Sequence, residues 1–297
     1  MFPYLPDDVS PIDVVARIGL ISDTHMPQRW LSLPPAVVPV LDGVDLLLHG
    51  GDVGQLWVLD QLSGIAPVIA VHGNDETAET QAHLPTQQVL SIAGQRILLW
   101  HSHYPDREME LAMRRVDTWA RILNRSAEQA QAAGAQMVVM GHLHVPFCTQ
   151  HQGIWIINPG AIASGNYQTR QAVQTVALLF LLADGTPRVV HVNLAAPPAV
   201  FRPEIDWSAP FSTALQLFSA NILAPGLDES FREIGRRLFL QWPDKYYDLV
   251  GPPAHRVWSG EKKQVTVEDL LGSLERVNGI PAGERAAIGR LIRKAGT

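Results

Sequence analysis

The sequence predicts an α/β domain followed by a helical extension, and three observations carry that expectation. Short apolar runs recur through the first two thirds of the chain, each ending in glycine, aspartate, asparagine or histidine. Segments with helical spacing lie between some of them. From Ala196 the composition changes, first to a proline-rich stretch and then to segments with helix-start signals. The boundary is therefore placed between residues 1–195 and 196–297.

Residues 14–21 read as a buried strand that runs into Ser22-Asp23-Thr24-His25. On extended backbone a carboxylate and an imidazole two residues apart share one face. In open α/β sheets ligands sit at this end of the strands. Residues 44–48 form a second strand and lead to His49-Gly50-Gly51-Asp52, where glycines leave room beside the carboxylate. Residues 55–63 suit a short helix closed by Gly64. A third strand, 67–71, precedes His72-Gly73-Asn74-Asp75-Glu76. Residues 89–92 and 96–100 form a hairpin around Ala93-Gly94, and its second arm delivers His101-Ser102-His103.

Residues 107–123 carry Leu111, Met113, Val116, Ala120 and Leu123 near helical spacing, and 126–133 continue as a second helix with Gly134 as its C-cap. That stripe is expected to face the core, with Arg114, Arg115, Arg121 and Arg125 turned to solvent. The apolar run Val138-Val139-Met140 is broken by Gly141 and followed by His142-Leu143-His144, two imidazoles aimed at one spot from the end of a rigid strand. Residues 154–157 end in Asn158-Pro159-Gly160, and 175–182 with 189–192 read as a last hairpin. In the extension, Asp228 or Ser230 suits the start of a helix to about residue 240; Thr266 and Pro281 start two more. Polar groups of metal-ligand type thus close one strand after another, an arrangement that a chance core would not produce.

Composition excludes several classes. With 46% hydrophobic and 18% charged residues the chain is globular, not disordered. No apolar run is long enough to span a bilayer, and residues 1–13 lack the basic start and apolar core of a signal peptide. The single cysteine, Cys148, excludes an internal disulfide framework, suits a cytoplasmic setting, and is expected to be a small buried hydrophobe. Up to Ala195 there are 10 Lys+Arg against 17 Asp+Glu; beyond it, 13 against 12. The tail is not basic enough to argue for a nucleic-acid arm, so its expected role is structural or partner-binding, with a homo-oligomer contact left open.

Asp23-x-His25, Gly51-Asp52, Gly73-Asn74, His101 and Gly141-His142-x-His144 resemble, in order and spacing, the signature of the calcineurin-like metallophosphoesterases. The finer pattern is similar to the YfcE-type phosphodiesterases, over roughly residues 18–192. The resemblance implies a four-layer α/β/β/α sandwich of two mixed sheets. It implies that Asp23, His25 and His144 hold one divalent metal, that Asn74, His101 and His142 hold a second, and that Asp52 bridges them. Manganese is the first expectation, and a thiolate-free shell equally admits Fe, Zn, Ni or Co. The implied activity is hydrolysis of P–O bonds by a metal-bridging hydroxide, on a phosphate-ester small molecule or nucleotide. Asp52 and Asn74 belong to the implied catalytic set. Many relatives carry a histidine directly after Gly-Asn; here Asp75 stands there, so either the substrate carries a good leaving group or His103 acts as the acid. The second reading is a Vps29-like scaffold that works through protein contacts, with little or no turnover.

Overall fold

Strand β1 (Val14–Ile21) lies in the middle of a six-stranded sheet, with its last four residues buried. It pairs in parallel with β2 (Leu46–His49), which pairs in parallel with β3 (Val68–Ala70). The second sheet is built on β4 (Gln87–Ile92), β5 (Gln95–Trp100), β6 (Met137–Met140), β7 (Phe147–His151) and β8 (Ile154–Asn158), in the order β4-β5-β6-β8-β7. Here β5, β6 and β8 are parallel, and β4 and β7 are antiparallel edges. A two-stranded ribbon joins β9 (Thr169–Gln171) to β13 (Ser219–Asn221). The chain returns to the first sheet with β10 (Thr175–Leu182), β11 (Pro187–Asn193) and β12 (Ala199–Phe201), antiparallel on the other side of β1. This computed structural model describes residues 4–239 and 241–295.

Three apolar layers follow from these pairings. Ile18, Leu20, Leu48, Leu179 and Leu181 of the first sheet pack on Ile97, Leu99, Met137, Val139 and Ile157 of the second. The outer face of the first sheet, with Ile21, Leu47 and Phe180, is covered by α1 (Val37–Leu41) and α2 (Trp57–Ser63) through Val40, Leu41, Val58 and Leu62. The outer face of the second, with Leu98, Val138, Met140 and Ile156, is covered by α5 (Trp119–Ala132) and α6 (Phe211–Phe218). The architecture is a four-layer α/β/β/α sandwich of two mixed sheets, with helices continuing beyond it. Because both sheets carry parallel neighbours, β1, β2 and β3 on one side and β5, β6 and β8 on the other release their C-terminal loops in common directions. A third short helix, α3 (Ala78–His83), is capped by the Thr77 hydroxyl.

The chain divides into two compact units. The first holds residues 4–165 and 171–219; the second holds 166–170 and 220–295 apart from residue 240. Within the second, α7 (Leu227–Leu238) turns Phe231, Ile234 and Leu238 inward. Residue 240, near which the sequence ends this helix, lies outside the described residues, as do residues 1–3 of the amino-terminal stretch. Next comes α8 (Pro243–Trp258), which sequence reasoning misses because Pro252 and Pro253 fall inside it. Pro252 cannot donate to the carbonyl of Asp248; the Ser273 hydroxyl does so at 3.4 Å. Ser273 belongs to α9 (Val267–Arg276), whose start is the expected one: Thr266 and Asp269 form a capping box. The last helix, α10 (Ala282–Lys294), follows Pro281 as expected, and its Arg285 donates to the carbonyls of Leu274 and Val277 at the end of α9. Among the described residues no helix is long and apolar enough to cross a membrane.

One expectation is overturned. The helix read over residues 107–123 is two helices, α4 (Arg107–Arg114) and α5, broken at residues 115–118. Two residues of the stripe assigned to the core, Leu111 and Val116, face water and are each 45% exposed, whereas Leu123 at its far end does pack on the core of the second sheet. Among the described side chains of α4, the buried one is Glu110. Helical periodicity is the same whether the inward face is apolar or holds one paired carboxylate, so spacing alone picks the wrong side.

Trp119 anchors α5. It is buried, with Trp207, Phe211 and Phe147 edge-on at 4.6, 5.1 and 5.3 Å between ring centroids. Trp119→Ala is expected to remove about 3–5 kcal/mol from the unfolding free energy of the first unit. The check is a urea titration, in which the midpoint falls and the slope is kept.

Candidate metal centre

The loops after β1 and β2 run side by side: Asp23 N–H donates to Gly51 O at 3.0 Å and His25 N–H to Asp52 O at 2.9 Å. This register brings Asp23, His25 and Asp52 together. Extended backbone would put Asp23 and His25, and likewise His142 and His144, on one face. The structure corrects that reason. All four lie beyond the strand ends in left-handed conformations, with φ of 54°, 46°, 71° and 56°, and Asp52 has φ of 52°. Non-glycine residues rarely adopt this region, and such strain gathers at functional sites.

Two groups result. Asp23, His25 and His144 offer ligand atoms that all lie within 4.8 Å of one another, and so do Asp52, His101 and His142. In the first, Asp23 Oδ1 lies 3.2 Å from His144 Nε2 and 3.9 Å from His25 Nε2. In the second, Asp52 Oδ2 lies 3.2 Å from His101 Nε2. The same oxygen is 3.5 Å from His25 Nε2, so Asp52 touches both groups. Its other oxygen accepts from Asp75 N–H at 2.8 Å. Asn74 sits in this loop between Asp75 and Gly73, and is exposed. Gly73 is held so close that a Cβ there would lie 2.1 Å from Asp52 Oδ1. At Gly141 a Cβ would lie 2.1 Å from Ser22 Oγ and 2.6 Å from Gly50 O.

The side chains fit divalent cations. His101 Nε2 and His144 Nδ1 are buried with no hydrogen-bond partner, although His101 Nε2 faces a carboxylate oxygen. Buried polar atoms without partners are costly, and a lone pair aimed at a cation accounts for His101 Nε2, the nitrogen that faces Asp52; in His144 the nitrogen facing Asp23 is Nε2, and the orphaned Nδ1 is the other ring nitrogen. Each group supplies oxygen and nitrogen donors without thiolate, a set suited to Mn, Fe, Zn, Co or Ni. Burial and Arg29 hold His25 well below the usual imidazole range, and burial also lowers His142. Neutral imidazole is the form that binds metal. Burial lowers His101 too, but the Asp52 and Asp23 carboxylates outweigh it and lift the ring to about 9.

His103 lies outside both groups, with its ring 5.4 Å from His101 and its Nδ1 buried without a partner. Burial, His101 and His142 push it down to about 4. Cys148 is on β7, with its thiol pushed up to about 12 by burial, as suits a packing residue.

Several residues outside the expected ligand set brace the site. Arg29 is buried, its Nη1 3.2 Å from His25 Nδ1, donating to Ser164 O at 3.2 Å and paired with Asp75. Arg125, expected on a solvated face, donates to the carbonyls of Ser102 and His103 and lies over the rings of Tyr104 and Trp100 at 3.7 and 4.5 Å. It holds the loop that carries His101. Glu76 accepts from the N–H groups of Val53, Gly54 and Gly73, tying the Asp52 loop to the Asn74 loop. Asn158 braces the third loop, donating to Gly141 O at 3.0 Å. Glu110 meets His142 Nε2 at 3.0 Å.

Residues 17–182 match the calcineurin-like phosphoesterase superfamily domain. The "Probable metallophosphoesterase" of Methanocaldococcus jannaschii is 34% identical over 146 residues, spanning 48% of this chain and 67% of that protein. That of Methanothermobacter thermautotrophicus is 32% identical over 145 residues, 48% of this chain and 76% of its own. Among solved structures, Vacuolar Protein Sorting 29 from Cryptosporidium parvum is similar with a TM-score of 0.50 and 21% identity, covering 64% of this chain and 97% of that one. That likeness is one of fold.

The raised His101 gives a pH prediction. Its proton competes with a cation, so Mn2+ affinity at the second group should climb by up to about tenfold per pH unit below about 9 and level off above it. Without metal the sign is opposite. The His101–Asp52 pair contributes fully below pH 6.5, and that stability is lost as pH rises through about 9. Calorimetric Mn2+ titrations and metal-free melts across this range check both; a flat affinity profile would contradict the assignment.

Proposed function

The chain belongs to the calcineurin-like phosphoesterase superfamily, and on that premise we propose that it is a dinuclear metal-dependent phosphoesterase, a phosphodiesterase of the YfcE type acting on a small phosphate ester or nucleotide. The observation that carries this reading is Asp52 Oδ2, placed between His101 Nε2 and His25 Nε2 at 3.2 and 3.5 Å. Asp23, His25 and His144 would hold one ion, Asn74, His101 and His142 the other, and Asp52 both. Two such ions supply charge that offsets the phosphoryl oxygens and acidify water for attack on phosphorus. Manganese is the first choice within the donor set.

The chain's own side chains set the rest. Asp75, in the place where many relatives carry a histidine, is paired with Arg29. His103, lowered to about 4, is neutral near pH 7, so almost none of it carries the proton that a general acid donates. This combination supports substrates with good leaving groups over those that need strong protonation. The single, half-buried cysteine supports a reducing, cytoplasmic setting.

A Vps29-like scaffold is the second reading, favoured by the likeness of fold to the Cryptosporidium parvum protein. It requires no turnover. Hydrolysis of bis-p-nitrophenyl phosphate by the Mn2+-reconstituted chain separates the two, and no turnover at any of several pH values would select the scaffold. If the enzyme reading holds, Asp52→Asn should lower kcat by about 10²–10³-fold and weaken both ions together. Asn74→Ala should weaken mainly one. Elemental analysis of the two variants checks this, and an Asp52 variant with the parent's metal content would contradict the bridge.

A further inference from the structure

We infer that Glu110 is a positioning residue for the second metal group: it fixes the His142 imidazole with its proton on Nε2 and so leaves Nδ1 as the nitrogen available to a cation beside Asp52 and His101. The inference rests on the two-metal reading above. It starts from an anomaly in α4, whose buried residue is a carboxylate at 6% exposure while Met109 and Leu111 on the same helix are 49% and 45% exposed. A buried carboxylate persists only where hydrogen bonds and charge partners replace water.

Glu110 has three such partners. Oε2 accepts from Tyr104 N–H at 3.0 Å. Oε1 meets Arg114 Nε and His142 Nε2, each at 3.0 Å. The Arg114 side chain is 55% exposed, so this helix-surface pair adds little. His142 is the sheltered partner, its side chain 12% exposed.

An ionised carboxylate only accepts, so the proton in the Glu110–His142 contact lies on Nε2. In a neutral ring the lone pair then lies on Nδ1. The backbone of His142 is fixed separately: its N–H donates to Asp23 at 3.0 Å, and its φ is +71°. Main chain and ring tip are thus both held, which removes the freedom of a histidine at the mouth of a loop. A carboxylate behind a metal-binding imidazole also raises the basicity of the ligand nitrogen. The Tyr104 contact lets the same carboxylate hold the segment that follows His101 and His103. The effect of Glu110 is therefore directed at the second group, not at Asp23, His25 and His144.

The test uses metal-free full-length chain titrated with Mn2+ alone, by calorimetry with elemental analysis, for the parent, Glu110→Ala, Glu110→Gln and Glu108→Ala. Glu108 is exposed on the same helix and controls for helix and charge. The expected result is one ion bound as in the parent and a second bound about 10–100-fold more weakly in Glu110→Ala. Glu110→Gln, whose amide oxygen still accepts, should lose less, and Glu108→Ala nothing. If Glu110→Ala fails to fold by circular dichroism, Glu110→Gln decides by the same criterion. A second ion bound as tightly as in the parent, or equal weakening of both ions, overturns the inference. A parent that takes up fewer than two ions overturns the two-metal reading, and this inference with it.

Discussion

One carboxylate almost out of reach of water, that of Asp52, organises the site. It has one oxygen against His101 and His25 and the other on the N–H of Asp75. An isolated charge at this depth would be expelled or neutralised. Here the imidazoles of His101, His25 and His142 hold it well below the usual carboxylate range in spite of burial. Its position depends on three loops. The β1 loop is laced to the β2 loop by backbone hydrogen bonds, and the β3 loop lies against Asp52 through Gly73. Any shift of one parallel strand against its neighbour would break the contact between the two groups.

The remaining loops are held from behind by polar side chains. Arg125 grips the His101 loop by two carbonyls and is itself sandwiched by aromatic rings. Asn158 holds the carbonyl of Gly141. Glu76 gathers three amides, and burial beside Asp52 lifts its carboxyl to about 7. These residues do for loops what hydrogen-bond ladders do for strands. The left-handed conformations of Asp23, His25, Asp52, His142 and His144 persist because the surroundings over-determine them.

The second unit follows a different logic. Its helices bury Leu227, Phe231, Leu249, Leu270, Leu274 and Ile288, and its ends are satisfied by caps: Thr266 with Asp269, and Arg285 on the last carbonyls of α9. The two prolines inside α8 are accommodated because a neighbouring helix supplies a hydroxyl for the orphaned carbonyl of Asp248. Residues 199–201, in the proline-rich stretch after Ala196, form the edge strand β12, and residues 211–218, assigned to the extension, form the helix α6 on the first unit's core.

The sequence by itself determined the strands that lead to the site and the order of the polar residues after them. Apolar runs closed by glycine and a ligand-type residue are local patterns, and local patterns survive in one dimension. It also determined the caps at Thr266 and Pro281, which depend on neighbours in the chain. Only the tertiary structure decided which oxygen of Asp52 faces two imidazoles, that the ligand residues leave extended backbone, and that α4 turns Glu110 inward and its leucine outward. It also decided the roles of Arg29, Arg125 and Glu110. Each of these acts through a partner distant in sequence, Asp75, Ser102 and His142 respectively, and a charged residue in a helix or loop looks the same in sequence whether it meets water or a buried histidine.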